Sequence, residues 1–169
     1  MEDLPVKGAF YIALFGALSQ GCGPSTGAKH ALEGSLSVVM DLGWDECTLD
    51  PLSPGEISVR FIRNQNGAMN TPLKIVWAQA GQDLITPSTI DLAEMRPDDP
   101  NRQRSTLSRN VLDDSRTVFP LLIRGKMTFF DQIRPDATVK GQLNLTFENG
   151  IDFANGRTVF GPFTAKVLQ

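Results

Sequence analysis

The chain has 169 residues, with 16 Lys and Arg against 19 Asp and Glu, a net charge of −3. That length fits one domain and suffices to bury a core without a disulfide framework or a structural metal. The charge balance excludes a dedicated nucleic-acid binder, which carries a basic patch or stripe.

In chain order, the first segment is an uncharged apolar run, Gly8–Leu18. It is too short to cross a bilayer as a helix, which takes about 20 residues. It matches the apolar region of a secretory signal, roughly 7–15 residues followed by a small-residue cleavage site. The alternatives are an ordinary cleaved signal without lipid and a buried terminal strand or helix of a protein that is not exported. The run leads into Leu18-Ser19-Gln20-Gly21-Cys22. Here the sequence resembles a bacterial lipoprotein, in which a Leu, a small residue and Gly or Ala precede the cysteine that receives lipid after cleavage. Gln20 is an additional residue between Ser19 and Gly21. The resemblance implies that residues 1–21 are a signal peptide that is removed, that Cys22 is lipidated, and that the membrane is a partner through that lipid. In that family an Asp directly after the cysteine favours the inner membrane. Gly23 stands there, so the expected location is the cell envelope at the outer membrane, with a secreted or periplasmic protein as the alternative.

There are two cysteines, Cys22 and Cys47. Lipid on Cys22 leaves Cys47 as a lone thiol, expected to be buried as a small hydrophobe. Without lipid, a Cys22–Cys47 disulfide becomes available in an oxidising compartment. Two cysteines and the single histidine, His30, fit no zinc spacing, so neither a metal nor a cofactor is expected.

Residues 22–34 read as a flexible tether. Within them Gly23-Pro24-Ser25-Thr26-Gly27 matches G-x-S-x-G, but a nucleophile elbow needs a strand before the serine and a helix after it. His30 stands too close in an extended tether to assume the geometry of a triad. Gly27-Ala28-Lys29-His30 lacks the Gly-Lys and following hydroxyl of a phosphate loop.

Residues 35–169 are expected to form one domain. Leu36, Val38, Met40 and Leu42 alternate with Ser35, Ser37, Val39 and Asp41, which predicts a first strand with one face in the core. Gly43–Gly55, with two prolines and several acids, is expected to be a long loop. Ile57, Val59 and Phe61 mark a second strand, Asn64–Pro72 a loop rich in turn formers, and Leu73, Ile75 and Trp77 a third strand. Thr89–Leu92 is a short fourth candidate. Glu94–Arg116, mixed in charge and poor in large apolar residues, reads as an exposed insertion with a helical turn at Leu107–Leu112.

From Val118 the alternation returns, with Ile123, Gly125, Met127 and Phe129 on one parity, and Asp131–Ala137 follows as a turn. Val139, Gly141, Leu143, Leu145 and Phe147 give the clearest strand; Asn149-Gly150 then reads as a tight hairpin turn. Val159, Gly161, Phe163, Ala165 and Val167 form the last strand. Pro162 within it has no N–H for a ladder, which predicts an edge strand or a bulge. The fold class expected is all-β: an antiparallel β-sandwich of about seven or eight strands with long loops.

Candidate ligand-binding residues are few. Asp41, Asp45, Glu46 and Asp50 cluster in sequence and supply oxygen ligands of the kind calcium takes, though without an EF-hand spacing. Trp44, among them in the expected loop, is a candidate stacking platform for a sugar. Trp77 has the parity of Leu73 and Ile75 and is expected in the core. Asp98-Asp99 and Asp113-Asp114 stand among arginines, so surface ion pairs of little energetic weight are expected. Asn144-Leu145-Thr146 is a glycosylation sequon that falls within a strand. No nucleophile–base pair is visible, and no pair of carboxylates stands out for glycosidase chemistry. The expectation is a non-enzymatic, membrane-anchored envelope lipoprotein, a binding or structural module whose protein or glycan partner the sequence does not name. The alternative is a carbohydrate- or calcium-binding sandwich module.

Overall fold

A computed structural model of the protein describes residues 27–53, 55–79, 88–112, 114–150 and 153–169. The segment expected to be a signal peptide, Cys22 and the G-x-S-x-G match up to Thr26 lie outside the described residues. The described chain is all-β, with ten strands and no α-helix among the described residues. They are β1 (His30–Ala31), β2 (Gly43–Trp44), β3 (Glu46–Ser53), β4 (Glu56–Gln65), β5 (Ala68–Ala78), β6 (Ser88–Asp91), β7 (Ser105–Asn110), β8 (Leu122–Phe129), β9 (Thr138–Phe147) and β10 (Thr158–Val167). β1 and β2 form a small ribbon, and the others form one curled sheet in the order β6-β8-β9-β10-β3-β4-β5-β7.

The curl makes the sheet sandwich-like. Side chains of period two put one face of each strand inside, and rings from the two halves meet across the core. Phe61 of β4 lies 5.8 Å from Phe163 of β10, Phe163 lies 5.8 Å from Phe129 of β8, and Trp77 of β5 lies 6.3 Å from Phe129. Such pairs add stability beyond their buried area. The seam between the halves is the β10–β3 pair, which is parallel and in register only at Lys166↔Thr48 and Val167↔Leu49. The sheet is therefore mixed, not purely antiparallel as expected.

The outer edge of β7 is covered by chain that is not strand. Arg109 N–H donates to the Thr117 carbonyl (2.8 Å) and Phe119 N–H to the Leu107 carbonyl (3.1 Å), so residues 117–119 cap the outer edge of β7. Gln103 closes the gap to β8 with its side chain, accepting from Leu122 N–H (2.9 Å) and donating to the Leu122 carbonyl (2.6 Å).

Several expected elements move. The stretch expected as the first strand is a 3-10 turn, Ser35–Val38, followed by irregular chain. Leu36, Met40 and Leu42 are buried as the alternation requires, but Val38 is 77% exposed. Gly34 breaks the extension: its φ is +121° and a Cβ there would run into the Thr158 backbone, where the carbonyl carbon is 2.8 Å away. The described part of the expected tether is built into the fold, with Leu32 buried and Glu33 N–H donating to the Phe160 carbonyl (2.8 Å). The expected loop Gly43–Gly55 is β2 and β3, because Cys47 and Leu49 alternate with outward Glu46, Thr48 and Asp50.

The expected loop Asn64–Pro72 is mostly strand. Gln65 pairs with Ala68, leaving Asn66 and Gly67 as a two-residue turn, both with positive φ (51° and 80°). Those angles are what the type I′ hairpin demands, and Asn-Gly supplies them. Asn149-Gly150 makes no such turn. Thr146 pairs with Thr158, so a longer connection joins β9 to β10. Glu94–Arg116 contains β7 in place of a helical turn; Ser105, Leu107 and Arg109 point inward and Thr106 and Asn110 outward. In β8 the register shifts between Leu122 and Arg124, and Ile123, expected in the core, is 52% exposed.

Candidate functional site

Pro162 explains a concavity beside β10. Phe160 exchanges both backbone hydrogen bonds with Glu33 (2.9 and 2.8 Å), so its N–H and C=O point away from β9. By the two-residue period the backbone groups of Pro162 and Thr164 point the same way. The ladder to β3 starts only at Lys166, so neither residue has a partner strand there. Proline has no N–H to leave unpaired, which makes it acceptable where the strand loses its neighbour. β10 is thus internal to the sheet, against expectation, yet its Pro162 segment is locally an edge.

The result is a slot of about 460 Å³ in the wall of the sandwich, between β10 on one side and β1, β2 and β3 on the other. Pro162, Phe163, Thr164 and Lys166 line one wall, His30, Trp44, Cys47 and Thr48 the other, and Asp45 and Glu46 also border it. Trp44 is 4% exposed, with its ring 4.4 Å from the His30 ring and in edge contact with Phe61 at 5.5 Å. It offers no open face for a sugar, so the exposed stacking platform expected from its loop position is not formed. Trp44 Nε1 and Thr48 Oγ1 are both buried without a hydrogen-bond partner. Cys47 is a free, buried thiol, and burial pushes its pKa well above the ordinary value, so it is a poor nucleophile.

The four candidate carboxylates do not converge. Asp41 accepts from Gly43 N–H (2.9 Å) and pairs with the buried Arg63. Asp45 accepts from Asn64 N–H (3.0 Å) and Lys29 N–H (3.2 Å), and these backbone donors hold its carboxyl below the usual range. Asp50 pairs with Arg60 at 2.9 Å, and Glu46 is exposed at the slot. Among the described residues no group of three or more His, Cys, Asp or Glu is placed to hold a metal ion. Trp77 is fully buried, as its parity predicted.

The Asp98 pair is a surface bridge to Arg96 (2.9 Å), as expected. Asp114 is different, because it bridges the exposed Arg116 (2.7 Å) and the buried Arg109 (2.7 Å). Neither His30 as a stacking partner nor Thr48, Thr164 and Lys166 carried a signal in the sequence. The signal that pointed at this place was Pro162, whose missing donor had to be accommodated somewhere.

No protein family, curated protein sequence or solved structure matches this chain. The fold and the site define it as an all-β, sandwich-like protein with a slot at the seam of its curled sheet.

Proposed function

We propose that this chain is a non-enzymatic envelope lipoprotein, exported and held at the outer membrane by a lipid on Cys22, with the β domain serving as a binding or structural module. The observation that carries the reading is the apolar run Gly8–Leu18 followed by Gly21-Cys22. A binding role, on this reading, falls to the slot between β10 and β3 rather than to the dispersed carboxylates. Metabolic labelling with a palmitate analogue tests the anchor. Label is expected on the wild type and not on Cys22→Ala, and equal absence from both rejects the lipoprotein reading.

A further inference from the structure

Where β10 borders the slot, it offers a row of backbone groups with no strand beside it. Lys140, the β9 residue opposite Thr164, directs its own groups to the other side: its carbonyl accepts from Phe130 N–H (2.9 Å) and its N–H donates to Asp131 (2.8 Å). Val167 N–H, by contrast, donates to the Ala137 carbonyl (2.8 Å). Odd-numbered residues of β10 therefore face β9, and even-numbered ones face away from it. Phe160 is satisfied on that side by Glu33, and Leu168 N–H by the Leu49 carbonyl of β3 (2.8 Å). Between them the Pro162 carbonyl, the Thr164 N–H and the Thr164 carbonyl face the slot, and no described strand pairs with them. From Phe160 to Lys166 the strand covers about 20 Å, at roughly 3.3 Å per residue. Two side chains lining the same slot are also unsatisfied. Trp44, 4% exposed, and Thr48 each bury a polar atom, Nε1 and Oγ1, without a hydrogen-bond partner among the described residues. Buried polar groups are as a rule paired, so each such atom calls for an explanation.

We propose that the slot takes an extended segment of a partner polypeptide, which adds a short strand along Pro162–Thr164. The inference rests on the binding role given to the slot above and needs no lipid on Cys22. An extended backbone repeats donors and acceptors at the spacing β10 presents, with N–H groups for the two carbonyls and a C=O for Thr164 N–H. A lone carboxylate accepts from Thr164 or from the Trp44 indole but has no proton for the carbonyls. Pro162 suits an edge that stands open between partners, because it leaves no N–H unpaired there. Lys166 and Glu46, both exposed at the slot, put charge beside that edge, a usual guard against indiscriminate strand pairing.

The test follows the amide and indole N–H signals of the isotope-labelled full chain by nuclear magnetic resonance. The first probe is a pool of acetylated, amidated pentapeptides randomised among Val, Thr, Leu and Lys, at millimolar concentration. The second is the same pool N-methylated at every residue, which keeps the side chains and removes the donors. Trp77 is the internal control: its Nε1 is also buried and unpartnered among the described residues, but it does not line the slot. With the first pool the Trp44 indole and Thr164 amide signals are expected to shift, the Trp77 indole to stay, and Thr164 exchange to slow about tenfold. The N-methylated pool is expected to do none of this. Absence of any shift with the first pool overturns the proposal, and so do equal shifts with both pools. Sodium acetate that moves the Trp44 signal as far as the first pool overturns it as well, in favour of a small-anion site. Thr164→Pro removes the N–H without touching the ladder to β9, and should abolish the Trp44 shift while the Trp77 signal holds its place. A Trp44 shift that survives this change rejects pairing along β10. The same titration of Cys22→Ala is expected to be unchanged. Failed lipid labelling therefore rejects the anchor and leaves the slot to these probes, and failed probes leave the anchor to the labelling.

Discussion

Gly141 shows how closely the core is packed. A Cβ at this position would meet the Phe163 ring and lie 2.7 Å from the Thr128 carbonyl oxygen. Phe163 touches both Phe61 and Phe129, so its ring has little freedom to move aside. Gly141→Ala is expected to destabilise the protein by about 1–3 kcal/mol, the usual cost of overpacking, read as a lowered melting temperature. Adding Phe163→Leu should recover part of that loss; a double variant as unstable as the sum of both single changes would argue against the steric account. The ion pairs separate in the same residue-level way. Arg109 is 5% exposed and its partner Asp114 also holds Arg116, whose guanidinium lies 5.1 Å from the Phe153 ring centre. Asp114→Asn leaves a buried cation without its counter-charge, with an expected cost of about 3 kcal/mol. The side-chain and backbone hydrogen bonds from Arg116 hold the Asp114 carboxyl well below the usual carboxylate range. A depressed carboxylate pKa contributes stability above the unfolded value, about 3.9, and loses it as pH falls further. Acid denaturation below that pH should therefore be steeper in the wild type than in Asp114→Asn, and parallel curves would deny Asp114 this role.

The behaviour of β10 is set by its neighbours along its length. At Phe160 it bonds to Glu33, at Lys166 and Val167 to β3, and between them it faces the slot. Phe163 and Ala165 point their backbone groups at β9, where the ladder runs without interruption from Thr158↔Thr146 to Lys166↔Thr138. Thr164 points its N–H into the slot. Native-state amide exchange should therefore find Thr164 much less protected than its neighbours Phe163 and Ala165. Equal protection of all three would mean that β10 and β3 pair further than their two registered residues. Period-two burial made β4, β5, β9 and β10 legible in the sequence. β3 and β7 were harder to see, because Glu46 and Asp50 with Pro51, or Ser105 and Arg109 at inward positions, gave them the composition of loops. The site was less legible still. Asp41, Trp44, Asp45, Glu46 and Asp50 are adjacent in sequence, yet the extended backbone sends them to different faces and different partners.

At the scale of the molecule, the two halves of the sheet share one interior. The ring contacts Phe61–Phe163–Phe129–Trp77 cross from one half to the other, while the seam itself is short. With so much of the core lying across the seam, neither half keeps a closed interior by itself. Unfolding is expected to be a single cooperative transition. In a Cys22→Ala variant, tryptophan emission, far-ultraviolet circular dichroism and reactivity of the Cys47 thiol should share one midpoint. A thiol that reacts well before the tryptophans are exposed would show that the seam opens while the rest of the sheet stands.

By itself the sequence determined the all-β class, the inward residues of the strongest strands, the buried Trp77 and the buried thiol of Cys47. These follow from alternation and side-chain chemistry, which are properties of a single strand. The tertiary structure decided the strand order, the parallel seam, the place of Pro162 inside the sheet and the burial of Trp44 beneath His30. Each of these depends on pairing between segments far apart in the chain, where the energy lies in contacts no local pattern encodes. The slot is the sum of those choices: a proline without a donor, set where two strands part.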